Sequence, residues 1–297
     1  MCKRVRPASS SIIDEKQDKE EDSMKKLFVI VLLAIKRFHD PYYQGVPAQL
    51  SFYYTLSIVP ILILITQILG IVFGKDIESS ISWILERADI TLVDSLMNIV
   101  SFKTAYVANI FFIALLIWAA SKAQFSMMRI TNFTFSDGKT TGKGYFRDRL
   151  KAILVMGFTL VTVIFGILVL GYGNQILNLV LSLIGLEEEG AKIWLIVRWP
   201  IALALYFFMV LLNYYILPSE RMNIRTHLPG AVFASLGLLF VTFIYSEYIG
   251  LTANYNIIYG SLASVVALIL WFFFLGSVLS FGIIFNKAWQ EYHSTKK

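Results

Sequence analysis

Cysteine is nearly absent from this 297-residue sequence: its one thiol, Cys2, lies in a polar amino-terminal stretch. No internal disulfide can form, and no cysteine cluster can hold a metal. Histidine is almost as scarce, with His39, His227 and His293 far apart along the chain. Charge is thin as well, since Asp, Glu, Lys and Arg make up 15% of the residues, against about 25% in soluble domains. A phosphate-cradling Walker loop is also missing. Its spacing ends in Gly-Lys-Ser/Thr after a strand, which Gly142-Lys143-Gly144 does not supply. No catalytic residue, metal ligand set or cofactor is expected.

What the chain has instead is apolar length. Hydrophobic residues make up 57% of it and its mean hydropathy is +0.67. Runs of about 20 apolar residues are what a hydrocarbon layer about 30 Å thick demands. The fold expected is all-α, a polytopic membrane protein with six transmembrane helices at about 47–74, 104–126, 151–174, 193–217, 229–252 and 258–286. Together these form a bundle over 47–287. Residues 1–23 mix both charges with serine, without periodicity, and read as a disordered tail; residues 288–297 read as a second tail. Met24 offers an alternative translation start. From there, Lys25, Lys26, Lys36 and Arg37 share one side of a helical wheel, and Leu27, Ile30, Val31 and Ala34 lie mostly elsewhere. That pattern predicts an amphipathic helix within 24–46, lying in the membrane surface.

The net charge of +6 would suit nucleic acid, but the cations mostly flank apolar runs and are better explained by topology. Residues 1–46, 122–151, 221–225 and 287–297 hold 21 of the 26 Lys and Arg residues. Lys75, Arg87, Lys103, Lys192 and Arg198 make up the other side. The positive-inside rule then puts both termini in the cytoplasm of a cell with the protein in its inner membrane. The loops at 75–103 and before Gly190 carry acids such as Glu86, Asp94 and Glu187–Glu189, giving an acidic outer face. Membrane lipids and an amphiphilic substrate are the expected partners, with no nucleic acid. The sequence sets no oligomeric state.

The first span, "PAQLSFYYTLSIVPILILI", is unusually polar. On a helical wheel Gln49, Tyr53, Ser57, Pro60 and Gln67 fall within roughly 80° of one another. Proline removes a backbone hydrogen bond and tends to kink a helix, and the freed carbonyl must face protein or water rather than lipid. The stripe therefore either bonds neighbouring helices or lines a substrate cavity. Ionisable residues within spans are costly and informative, and three stand out: Lys122, Arg198 and Glu247. Lys122 lies near the cytoplasmic end of its span, where it can snorkel. Arg198, followed by Trp199 and Pro200, lies at a depth similar to that of Glu247, so the two either pair or share an outward cavity; an interfacial role beside Trp199 is the alternative for Arg198. Asn254, Asn256, Tyr259 and Gly260 mark the outer boundary of the last span. Gly260, Ala263, Ser264 and Ala267, then Gly276 and Ser280, form small-residue faces suited to close helix packing.

"GVPAQLSFYYTLSIVPILIL" resembles the signature of the BrkB/YihY family of bacterial inner-membrane proteins. Trp118-Ala-Ala-Ser121, the Arg147/Arg149 region, Leu228-Pro229-Gly230-Ala231, Tyr259-Gly260 and Trp271 are similar to the rest of the family pattern, in order. The resemblance covers roughly 30–290. It departs at Pro47 and Gln49, where the family more often has small residues, which implies a more polar cavity here. It implies a six-span bundle with cytoplasmic termini and an association with envelope integrity and serum resistance. The family has also carried a ribonuclease label (ribonuclease BN-like), implying an enzyme on tRNA. The residues argue against that: a metal-dependent hydrolase needs clustered His, Asp or Glu ligands, and this chain's histidines are scattered.

The resulting expectation is a transporter or flippase for a lipid or another amphiphilic envelope molecule, with a polar groove beside the first span and no enzymatic activity. A non-transporting scaffold for envelope assembly is the alternative, and a small-solute exporter the third.

Overall fold

The computed structural model describes residues 25–73, 110–182, 190–220, 222–252 and 261–294. All regular structure among them is helical. In chain order the helices are α1 (25–38), α2 (Pro41–Gln44), α3 (Val46–Phe73), α4 (Ile110–Ala120), α5 (Lys122–Phe135), α6 (Tyr145–Ser182), α7 (Gly190–Ile216), α8 (Ile224–Thr252) and α9 (Ser261–Ser294). The expected tail over 1–23, the acidic loops, Asn254, Asn256, Tyr259 and Gly260 lie outside the described residues, as does the side chain of Gln67.

Four of the described helices contain stretches long and apolar enough to cross a membrane: Tyr145–Gly166, Ile196–Ile216, Ile224–Tyr248 and Val265–Ser294. The first expected span coincides with α3, 28 residues that continue through Pro60. At about 1.5 Å per residue it exceeds a hydrocarbon core about 30 Å thick. The second expected span is interrupted only locally, at Ser121 between α4 and α5, where the Ser121 N–H still donates to the Ile117 carbonyl and the Ser121 carbonyl still accepts from Phe125. The third begins at Tyr145, six residues before the apolar run, because Asp148 in the first turn accepts the Gly144 N–H at 3.3 Å. Such an acid satisfies an orphan donor and complements the helix dipole. The last helix runs on to Ser294, past the expected boundary at 287; Ala288 there is buried and Trp289 stacks on His293.

Glycines set the closest helix crossings. At the start of α8, a Cβ on Gly230 would overlap the Gly282 backbone carbonyl and the Asn286 side chain. Asn286 Oδ1 instead accepts the Gly230 N–H at 2.6 Å. On another face of α9, Gly276 admits Pro47 and Leu50 of α3, and Ser51 Oγ donates to the Ile269 carbonyl at 2.8 Å. The Tyr214 hydroxyl of α7 donates to the Leu279 carbonyl at 2.7 Å. Between α5, α6 and α7, Thr159 Oγ1 accepts from Gln124 at 3.2 Å and from Asn213 at 3.4 Å. Small residues and interhelical hydrogen bonds do this work because lipid offers apolar helices no hydrophobic reason to associate.

Polar contacts gather four stretches at one end of the bundle. Lys287 on α9 pairs with Asp137 in the α5–α6 loop at 3.0 Å and with Glu291 at 3.4 Å. Arg37 on α1 pairs with Glu291 at 3.0 Å. Asn132 donates to the Thr141 carbonyl and accepts the Ser219 N–H at 2.7 Å, joining the α5–α6 and α7–α8 loops. The Tyr43 hydroxyl reaches Thr134 Oγ1 at 3.0 Å. These contacts lie within or beside the stretches that the charge pattern assigns to one side of the membrane. Ile30 and Ala34 of α1 are buried against this end, while Phe28, Leu32 and Leu33 are exposed. Its exposed apolar side chains therefore lie beside the helix's cations.

Candidate functional site

The local interruption at Ser121 is where the site begins. The Trp118 carbonyl accepts a hydrogen bond from Ser121 Oγ at 3.1 Å and a second from Arg149 Nη2. An α4 carbonyl is thus held by a side chain from the second turn of α6. The Arg149 guanidinium also lies over the Trp118 ring, 4.2 Å from its centroid, and 5.2 Å from that of Phe125. Tyr145, one turn earlier on α6, completes the aromatic set at 5.9 Å from Trp118 and 5.6 Å from Phe125.

Around this arrangement lies a cavity of about 110 Å³. Gln49 and Tyr53 line it from the first two turns of α3; Lys122, Ser126 and Arg129 line it from α5; Arg149 lines it from α6. Lys122 Nζ sits 5.5 Å from the centroid of the Tyr53 ring. Tyr53 is seven residues into α3, so at about 1.5 Å per residue the cavity lies within about 10 Å of the helix start. It is therefore at the end of the bundle where the loops gather. Helices α3, α4 and α6 also leave Phe52, Leu56, Leu115, Phe146 and Leu150 exposed.

Among the described residues three cations line this cavity and no carboxylate does. Asp148 is adjacent to Arg149 in sequence, but its carboxylate is turned to the Gly144 N–H, in space that a Cβ on Gly142 would fill. Arg149 is only 4% exposed, and its Nε has no hydrogen-bond partner among the described residues. Ser126, 3% exposed, likewise has an unpartnered Oγ. Burying an unpaired cation costs several kcal/mol even after relaxation. Its contacts with Trp118 and Phe125 offset about 0.5–2 kcal/mol each, and the hydrogen bond to the Trp118 carbonyl about 1.5–3 kcal/mol. The arrangement is suited to receiving an anion: a positive field, two idle donors and aromatic walls. Outside the membrane-spanning segments, burial raises the pKa of the Tyr42 phenol, and nearby Arg129 acts the other way.

The residues singled out in the sequence divide clearly. Gln49 and Tyr53 meet in the cavity, joined by Lys122. Ser57 shares their helical face but is buried and donates to the Tyr54 carbonyl of its own helix at 3.0 Å. Pro60 is half-buried further along α3. Arg198 and Glu247 are both exposed and form no ion pair with each other among the described residues; the Arg198 guanidinium lies over Trp199 at 5.2 Å. Pro200 is exposed within α7, and Gly276 packs against α3. Arg149, Ser126 and Arg129 were not singled out as cavity residues. The available signal was the pair of motifs around Trp118 and Arg149, which prove to be in contact. Among the described residues no three of His, Cys, Asp and Glu come together.

A family model described as "Virulence factor BrkB" matches residues 34–297. Ribonuclease-like protein YfkH of Bacillus subtilis is 24% identical over 242 residues, which is 80% of this chain and 87% of that protein. UPF0761 membrane protein IL2447 of Idiomarina loihiensis is 27% identical over 128 residues, 43% of this chain and 45% of that protein. No solved structure matches.

Proposed function

The chain belongs to the BrkB family of integral membrane proteins, and on that premise we propose that it moves a lipid or another amphiphilic envelope molecule across the membrane. The observation that carries this reading is the cavity of Gln49, Tyr53, Lys122 and Arg149. It offers a headgroup a polar, cationic seat at the end of the bundle, on helices whose exposed apolar side chains suit acyl chains. By the positive-inside rule this end faces the cytoplasm of an inner-membrane protein, so the headgroup is taken from the cytoplasmic leaflet. The chain breaks no covalent bond in this scheme; among the described residues no histidine, cysteine or carboxylate lines the cavity. The ribonuclease wording belongs to the name of the Bacillus subtilis relative, and we do not carry it over.

A second reading, a non-transporting scaffold for envelope assembly, has its own support. Ser57 is spent on its own helix, so the polar stripe of α3 is interrupted as a lining one turn beyond Tyr53. The crossings at Gly230 and Gly276 are also tightly filled. Reconstitution separates the two. Purified protein in liposomes with labelled lipids of differing headgroup charge is expected to give flux above protein-free liposomes for at least one anionic lipid. The absence of flux across the panel favours the scaffold.

A further inference from the structure

We propose that the cavity of α3, α5 and α6 is a receptor for a terminal phosphate group, a phosphomonoester or the end of a diphosphate. This rests on the headgroup reading above and goes beyond it by naming the group that is held.

The argument starts from size. About 110 Å³ is well below the ~300–1,000 Å³ of sites for drug-sized ligands. That suits a small anionic group such as one phosphoryl. Charge narrows the choice. Lys122, Arg129 and Arg149 face the cavity, without a carboxylate among the described residues. A carboxylate or a phosphodiester brings one negative charge, whereas a terminal phosphate brings about 1.5 to 2, with a second pKa of about 6. Donor geometry agrees. The Arg149 fork spends Nη2 on the Trp118 carbonyl and leaves Nε idle. Ser126 Oγ is idle and buried. Gln49 and Tyr53 supply further polar groups on the α3 side. Arginine forks suit phosphate oxygens, and a third phosphate oxygen remains for lysine and serine. The aromatic walls of Trp118 and Phe125 hold the guanidinium in position, so little is lost in ordering it when the anion arrives.

The phosphate can belong to a lipid or to a water-soluble compound, and the test has an arm for each. Full-length protein in phosphatidylcholine nanodiscs is titrated with short-chain phosphatidic acid, and separately with inorganic phosphate and pyrophosphate. Short-chain phosphatidylglycerol and a fatty acid are the comparison ligands. The expected result is tightest binding by a terminal-phosphate ligand, strengthening between pH 5.5 and 7.5 as the second phosphate proton leaves, with no such rise for the diester. Among the described residues no histidine or carboxylate lines the cavity, so the rise is assigned to the phosphate. Arg149→Gln and Lys122→Gln are each expected to weaken binding about tenfold or more, Ser126→Ala a few-fold, and Arg198→Gln, outside the cavity, not at all. If Arg149→Gln does not fold, Lys122→Gln and Ser126→Ala carry the test. Binding by phosphatidic acid alone assigns a lipid source, and equal binding by inorganic phosphate or pyrophosphate a soluble one; either supports the receptor. The proposal is overturned if diester or carboxylate binds as well as terminal phosphate, or if binding is absent or indifferent to the cavity variants. Phosphate binding without lipid flux would sink the transport reading and leave this one standing. Flux of diester lipids that ignores phosphate would do the reverse.

Discussion

Replacing Arg149 with methionine separates a ligand-binding arginine from a structural one. In the ligand-free protein the guanidinium is buried with no carboxylate among the described residues on the cavity wall, a situation that costs several kcal/mol. What offsets it is contact with Trp118 and Phe125, about 0.5–2 kcal/mol each, and one hydrogen bond of about 1.5–3 kcal/mol to the Trp118 carbonyl. Cost and offset are of the same size. Methionine keeps much of the packing volume, and the Trp118 carbonyl still accepts from Ser121 Oγ at 3.1 Å. The expected ligand-free stability of Arg149→Met is therefore within about 1 kcal/mol of wild type, or above it, while ligand binding is lost. The assay is equilibrium unfolding in mixed detergent–SDS micelles, followed by circular dichroism. Removing one partner of a buried ion pair costs about 3–5 kcal/mol. A loss of that size in the ligand-free variant would show that Arg149 is a strut and refute the reasoning.

Other substitutions test the scaffold around the site. Gly230→Ala forces α8 away from the Gly282 carbonyl and disturbs the Asn286 bond; overpacking of this kind costs about 1–3 kcal/mol, readable in the same unfolding assay. Thr159→Val removes the acceptor shared by Gln124 and Asn213 and is expected to cost about 1 kcal/mol, on the scale measured for hydrogen bonds between membrane helices. Lys287→Met cuts the ties to Asp137 and Glu291. Because Asp137 is largely exposed, the stability loss is expected to stay under about 1 kcal/mol, with faster amide hydrogen exchange in 136–144. Exchange unchanged there would mean that the Lys287 tie does not hold the loop.

The helical membrane architecture was legible because its cause is local: apolar length and flanking charge are properties of contiguous sequence. Gln49 and Tyr53 were legible for a similar reason, since helical period alone puts them on one face. The rest of the cavity was not. Lys122 reads as a snorkelling residue, and nothing in "IWAASKAQF" by itself sets it beside Tyr53 and Arg149. Arg149 sits before the apolar run of its span and reads as a loop cation until Asp148 caps the helix six residues early. Arg198 and Glu247 do not pair with each other among the described residues. Similar depth on two spans says nothing about helix rotation, and both side chains are exposed. Which helices cross closely at Gly230 and Gly282 is likewise a pairwise property that no single segment carries.

The most direct test of the account is lipid flux in proteoliposomes, comparing wild type with the Lys122→Gln/Arg149→Gln double variant at matched reconstitution. The account predicts anionic-lipid flux in wild type that falls at least about tenfold in the double variant, with Arg198→Gln behaving as wild type. Flux that survives loss of both cavity cations, in protein whose folding is intact, would contradict it.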